Sequence, residues 1–287
     1  MANVLVMTDT VSCVPRDLAE QYNIKTVPAA NIYVNGEVYI DGETITPTEA
    51  YDLIQKDPDS FMTSALTPEY LLGAYEKISA EAKEICFITL SGNLSAFNRV
   101  ATLAAETFTE KSPDVTIRIL DSRTCASSQG LVVLAAARAA AAGQSLDDVA
   151  AVAENARRKT GGIMMLDTLR YVYRTGRISK TASRIASLFN IRPINKMTDE
   201  GKLEMVDRTR KREEGLDKML NLIEADAGTK SLHFMLTHAA APDMAAHFAD
   251  KLKGRFDCLS LITSDFSPVM GYGSGPGSLF AGYHPEL

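Results

Sequence analysis

The apolar and polar positions along the chain change period in a regular way. Val4 to Met7 is a short apolar strand that ends at Thr8-Asp9-Thr10, and Pro15 to Tyr22 follows with helical spacing. Thr26 to Val34 is rich in strand formers. Asn35-Gly36 fits a hairpin turn, with Glu37 to Ile40 as the returning strand. Thr46-Pro47-Thr48-Glu49 has a capping threonine, proline in the first turn and glutamate three residues on, which predicts a helix start. Met62 to Pro68 is predicted as a loop, with Thr67-Pro68 opening a helix through Tyr75. Ile85 to Leu90 is an apolar run interrupted only by Thr89, as in a strand of a parallel sheet buried on both faces. It stops at Ser91-Gly92-Asn93, after which Phe97, Val100, Ala101 and Ala104 repeat with helical spacing.

The alternation continues. Val115 to Leu120 is a strand ending at Asp121-Ser122. Gln129 to Ala142 is an alanine-dense helix able to pack close to a neighbour, and Ser145 caps another running to about Thr160. Strands alternating with helices predict a parallel sheet covered on both faces. Gly161-Gly162 divides the chain, giving an N-terminal domain of residues 1–161 and a C-terminal domain of residues 162–287. In the second part a short helix is expected near Leu169 to Tyr173, then a turn at Thr175 to Ser179, with Ser179 capping a helix to Leu188. Arg192 to Met197 and Leu203 to Val206 form an antiparallel hairpin across Asp199-Glu200-Gly201. A helix (Lys211 to Ala225), a strand (Leu232 to Thr237), a helix (Pro242 to Lys253) and a strand (Leu259 to Thr263) follow. The glycine-rich segment Gly271 to Gly277 then leads into an apolar stretch from Ser278 to Ala281. The expected fold class is therefore α/β in two domains, the first with a parallel sheet and the second with a largely antiparallel one.

Composition narrows the function. With 46% hydrophobic and 23% charged residues the 287-residue chain has the make-up of a soluble globular protein, and its net charge of −6 argues against a nucleic-acid-binding surface. No apolar run approaches the ~20 residues that cross a bilayer, and the start of the chain lacks the basic and apolar pattern of a signal peptide, so a cytoplasmic location is expected. Cys13, Cys86, Cys125 and Cys258 form no CxxC pair, and His233, His238, His247 and His284 show no metal-ligand spacing. No catalytic residue, metal ligand or cofactor is assigned.

What remains is a set of polar turns where parallel strands end: Thr8-Asp9-Thr10, Thr63-Ser64, Ser91-Gly92-Asn93 and Asp121-Ser122. Ligands of open α/β sheets bind at that edge. A strand passing through Ser91-Gly92 into a helix N-terminus presents backbone N–H groups to an anion. The same residue types also serve ordinary turns and caps, and Asp9 and Asp121 are of the kind that cap a helix or brace a turn. Arg177, between Gly176 and Ile178, is a candidate partner for an anion. The glycines from 271 to 277 fit neither the Walker nor the dinucleotide pattern.

Taken in order, these turns resemble the DegV family of bacterial fatty-acid-binding proteins over nearly the whole chain. The resemblance rests on Val4 to Thr10, Thr63-Ser64 with Thr67-Pro68, Leu90-Ser91-Gly92, Asp121-Ser122 with Gly130, Leu166 to Val172 followed by Gly176 to Ser179, and Arg192-Pro193-Ile194. It implies a long-chain fatty acid held between two domains, with its carboxylate at Thr63, Ser64, Ser91 and Gly92 and its chain in an apolar tunnel. Asn93 stands where threonine is usual in the family. The resemblance implies a non-catalytic lipid carrier acting in phospholipid metabolism, with transient membrane contact and a separate fatty-acid kinase as possible partners. One departure bears on the kinase. The family's C-terminal motif has a histidine where this chain has Gly273, followed here by Ser274. That histidine and the arginine matching Arg177 handle the phosphorylated head group in kinase-coupled members. Tyr272 and His284 are the side chains that could replace it. The alternative class is an enzyme acting on a small acyl or phosphorylated metabolite at the same place.

Overall fold

The computed structural model describes residues 4–57, 59–177, 191–228 and 231–287. Ile178, Ser179 and the helix expected up to Leu188 lie outside these. The chain begins with β1 (Val4–Asp9), a 3-10 turn (Thr10–Ser12), α1 (Arg16–Gln21) and β2 (Lys25–Val27). β3 (Ala30–Val34) and β4 (Glu37–Ile40) are the expected hairpin. Asn35 and Gly36 both have positive φ, 51° and 87°, as a tight two-residue turn between twisted strands requires. α2 (Pro47–Lys56) starts on the foreseen capping box, where Thr46 N–H donates to Glu49 Oε2 at 2.9 Å and Glu49 N–H to Thr46 Oγ1 at 3.3 Å. Met62–Ala65 is a strand, β5, rather than the loop expected over Met62 to Pro68. It pairs antiparallel with β3, and its largely exposed side chains left no apolar alternation to mark it.

α3 (Pro68–Ser79), β6 (Glu84–Thr89), α4 (Phe97–Lys111), β7 (Thr116–Asp121), α5 (Ala126–Ala141) and α6 (Leu146–Lys159) follow. β8 (Gly161–Met165), α7 (Arg170–Thr175), β9 (Arg192–Met197), β10 (Leu203–Thr209), α8 (Arg212–Ala227), β11 (Leu232–His238), α9 (Pro242–Arg255), β12 (Cys258–Asp265), α10 (Pro268–Ser274) and β13 (Leu279–Pro285) complete the order. The structure thus has a helix, α10, inside the glycine-rich segment.

Three sheets result. β2-β1-β6-β7 is parallel throughout. β10-β9-β8-β13-β11-β12 is antiparallel except for its β11–β12 edge, and β4-β3-β5 is a small antiparallel sheet. The mixed α/β class and both main sheet types agree with the reading of the sequence. The larger hydrophobic core draws on both halves of the chain, combining Met7, Phe87 and Phe97 with Met164, Phe266 and Phe280.

α5 is apolar on nearly every side and buried accordingly. It lies between the parallel sheet and the six-stranded sheet, and glycines allow the close approach. A Cβ on Gly282 would fall 2.6 Å from Ser128 N, and one on Gly130 would fall 2.6 Å from Met235 Sδ and 2.7 Å from Ser12 O. The short side chains of this helix therefore place β11 and β13 against it, and its first turn at the carboxyl edge of the parallel sheet.

Candidate functional site

In the parallel sheet the connection from β1 goes outward to β2, while β6 lies on the other side of β1. The carboxyl ends of β1 and β6 therefore frame a topological switch point, where open α/β sheets bind ligands. The turn after β6 is tied down from several directions. Leu90 N–H donates to Asp9 Oδ2 at 2.7 Å, Ser91 N–H to Thr124 O at 2.8 Å, and Gly92 N–H to Asp121 Oδ2 at 3.2 Å. Ser91 Oγ donates to Gly201 O at 2.7 Å and accepts from Asn93 N–H at 3.2 Å, while Asn93 Nδ2 donates to Glu200 O at 2.6 Å. The donors expected to meet an anion at Ser91, Gly92 and Asn93 are thus engaged within the protein, and Ser91 is fully buried.

Both aspartates act as braces. Asp121 Oδ1 also accepts from Arg123 N–H. Asp9 accepts from Val11 N–H at 3.0 Å and from Gln129 Nε2 at 3.1 Å in addition to Leu90. Burial pushes its carboxyl up to about 7, against the opposing pull of these donors. A second buried carboxyl, Asp41, had no signal in the sequence. It accepts from Thr10 Oγ1 and, at 3.0 Å, from Val269 N–H, and so ties the end of the β3–β4 hairpin to the start of α10. Desolvation raises it to about 6.

Beside these braces is a cavity of about 290 Å³. Its buried wall is apolar apart from Ser274, and includes Val11, Cys125, Met164, Val172, Leu203 and Tyr272. Its exposed and half-exposed wall carries Thr63, Ser64, Ser95, Thr175 and Arg177. The cavity therefore runs from a polar mouth to an apolar interior. Arg177 is held over the mouth by carbonyls, with Nε donating to Leu94 O at 3.3 Å and Nη1 to Thr175 O at 2.9 Å. Ser64 Oγ lies 3.2 Å from Tyr33 OH. Ser95 Oγ accepts from Phe97 N–H at the start of α4.

Of the residues singled out from the sequence, the structure brings Thr63, Ser64, Arg177, Gly273 and Ser274 to this cavity. Ser91, Gly92 and Asn93 are not on its wall, although their neighbours Leu90, Leu94 and Ser95 are. Sequence reasoning did not single out Ser95 or Thr175, nor the sulfur-bearing wall of Cys125, Met164 and Met270. Burial pushes the Cys125 thiol up to about 12, so it acts as an apolar wall group. The two proposed stand-ins for the missing histidine are far apart. Tyr272 lines the cavity, its ring stacked on Phe61 at 5.2 Å. His284 lies opposite His233 at the other end of β13, four residues beyond Phe280 and so roughly 13 Å along the strand. Among the described residues, nothing lies within 4 Å of the position a Cβ on Gly273 would take. Among the described residues, no cluster of three or more His, Cys, Asp or Glu could hold a metal ion, and no helix is long and apolar enough to cross a membrane.

Comparison with known proteins gives a consistent result. Residues 3–286 match the family model described as "Uncharacterised protein, DegV family". A DegV domain-containing protein of Clostridium perfringens is 30% identical over 99% of both chains. One from Mycobacterium tuberculosis is 32% identical over 96% of this chain and 95% of its own. Among solved structures, a DegV family protein from Thermus thermophilus, described by its fatty acid binding, is 26% identical with a TM-score of 0.88, covering 99% of this chain and 100% of its own. The Streptococcus pneumoniae Fatty Acid Kinase (Fak) B3 protein, loaded with linoleic acid, shares the fold at 20% identity and a TM-score of 0.87, with both chains fully covered. With the family model matched from end to end and the fold shared throughout, this chain belongs to the DegV family.

Proposed function

We propose that the protein is a non-catalytic carrier of a long-chain fatty acid. The single observation that carries this is the polarity gradient of the 290 Å³ cavity, from hydroxyls and a guanidinium at the mouth to an aliphatic and sulfur-lined interior. Its volume is near the lower end of the range for small-molecule sites, about 300–1,000 Å³. Each methylene moved from water into such an interior contributes about 0.8 kcal/mol, so affinity resides in the tail and orientation in the head group. The fatty acid binding ascribed to the Thermus thermophilus relative supports the assignment.

The carboxylate meets Thr63, Ser64 and Arg177 at the mouth. Ser91 and Gly92, off the cavity wall and bonded to Gly201 O and Asp121, brace the turn that carries the wall residues Leu90 and Leu94. An enzyme acting on a small metabolite would need a titratable group facing the reacting atoms. Asp9 and Asp121, the carboxylates nearest Ser91, are instead occupied by backbone donors. The family resemblance implies a histidine that handles a phosphorylated head group where this chain has Gly273. The assignment is therefore carriage of the acid, without phosphoryl handling by this chain.

Mass spectrometry of an organic extract of the purified protein tests this reading. A stoichiometric fatty acid is expected in the wild type, with affinity for it reduced about tenfold in Arg177→Gln by loss of one charge-assisted bond. An empty extract that stays empty after incubation with mixed fatty acids would overturn the assignment.

A further inference from the structure

Directly behind the interior wall are buried polar atoms that the carrier reading leaves without a role. Asn195 is fully buried on β9, and neither its Oδ1 nor its Nδ2 has a hydrogen-bond partner among the described residues. Its cross-strand neighbour on β8 is Met164, so the two side chains are on the same face of the sheet, and Met164 lines the cavity. Two residues along the same face, Met197 lies opposite Leu203, another wall residue, and its Sδ is 4.0 Å from Cys125 Sγ. Thr124, which precedes Cys125, has a buried Oγ1 that also lacks a partner. Asn195 is thus on the cavity-facing side of the sheet, next to Met164 and two residues from Met197, and Thr124 adjoins Cys125 in the chain, both one layer behind the residues that line the cavity. Beside them is the N-terminus of α5, whose N-cap residue Cys125 supplies no capping bond.

Unpartnered polar groups are costly in an apolar interior, and a ligand that satisfies them gains what they lack. An amide with both its oxygen and its NH2 unpartnered needs a group that donates and accepts, which a hydroxyl does and a keto oxygen does not. Resting on the fatty-acid reading, we propose that Asn195 and Thr124, in the layer behind the wall residues Met164 and Cys125, form a second recognition point, selecting acyl chains that carry a hydroxyl group along their length over plain chains. Rotation of the unbranched Met164 side chain opens the amide to the cavity.

The test is competitive binding of stearic acid, a series of mono-hydroxystearic acids with the hydroxyl at successive carbons, and the matching keto acids. Wild type, Asn195→Leu and Thr124→Val are compared, the last keeping the side-chain shape should Asn195→Leu fail to fold. One hydroxy acid is expected to bind roughly tenfold more tightly than stearic acid, with its keto analogue in between. Asn195→Leu removes this preference and leaves stearic acid binding intact or improved, and Thr124→Val weakens the preference. If stearic acid binds and no hydroxy acid binds better, or if the preference survives both substitutions, the inference is overturned and the polar atoms hold buried water only. If no acid of any kind binds, the fatty-acid reading falls and this inference with it.

Discussion

The turn after β6 and the mouth formed by β5 and Arg177 offer similar chemistry and meet different fates. Ser91-Gly92-Asn93 has the hydroxyl, glycine and helix-start amides that an anion site uses, yet Thr124, Gly201, Asp121 and Glu200 already accept from these donors, while Asp9 holds the preceding Leu90 N–H. Thr63 and Ser64 lie on an exposed strand of a three-stranded sheet and face the cavity with fewer commitments. Residue types show which turn can hold a ligand. Which one is available depends on acceptors delivered from elsewhere in the chain.

The contrast can be broken most severely at Asp9. Asp9→Ala leaves Leu90, Val11 and Gln129 without their buried acceptor and should lower stability by about 3 kcal/mol or more, read as a shift in the denaturation midpoint. An unchanged midpoint would mean that water replaces the carboxylate.

The mouth has its own weak point in Asp41, which fixes α10. Its carboxyl titrates near 6 in the folded protein against 3.8 ordinarily. Between those values the native state holds a proton that the unfolded chain has released. The associated stability is complete below about pH 4 and lost as pH rises through 6, a change of about 3 kcal/mol at roughly 1.4 kcal/mol per pH unit. Asp9 extends the decline to about 7. Denaturation measured across this range should show a falling curve that Asp41→Asn flattens in its lower part. A curve of equal slope in the variant would remove Asp41 from the account.

Gly201→Ala sharpens the comparison from the other side. The residue has φ +82°, and its Cβ would meet Ser91 Oγ at 2.3 Å. A cost of about 1–2 kcal/mol is expected, with a disturbed Ser91 turn visible in its amide exchange and little change at Thr63. The smallest effect on stability is expected for Gly273→His, within about 0.5 kcal/mol, because no described residue lies within 4 Å of its Cβ position. Its readout is transfer of the bound acid to a fatty-acid kinase. A variant no better than wild type would show that a histidine at position 273 is not sufficient for such transfer.

Much of this was legible in the sequence where the deciding contacts are local. The capping box at Thr46, the Asn35-Gly36 hairpin and the apolar run of β6 all depend on residues a few positions apart. β5 was not legible, because a strand with exposed side chains lacks a period-two apolar signal. α10 was hidden by its glycines, which mark a loop locally. At Gly271 the reason is packing, since a Cβ there would fall 2.0 Å from the Tyr51 ring. The availability of the Ser91 turn was beyond local reading, because its acceptors Asp9 and Gly201 lie 81 and 110 residues from the donors they receive.

The placing of β13 between β8 and β11, with Gly282 against the first turn of α5, has a consequence for the order of assembly. The middle of the six-stranded sheet cannot close until synthesis has reached residues 279–285. The face that α5 turns toward β13 and β11 waits on the same event. Pairing across such long stretches is slow to form. A nascent chain halted before β13 would expose the apolar sides of α5, β8 and β11 together, the kind of surface that chaperones retain.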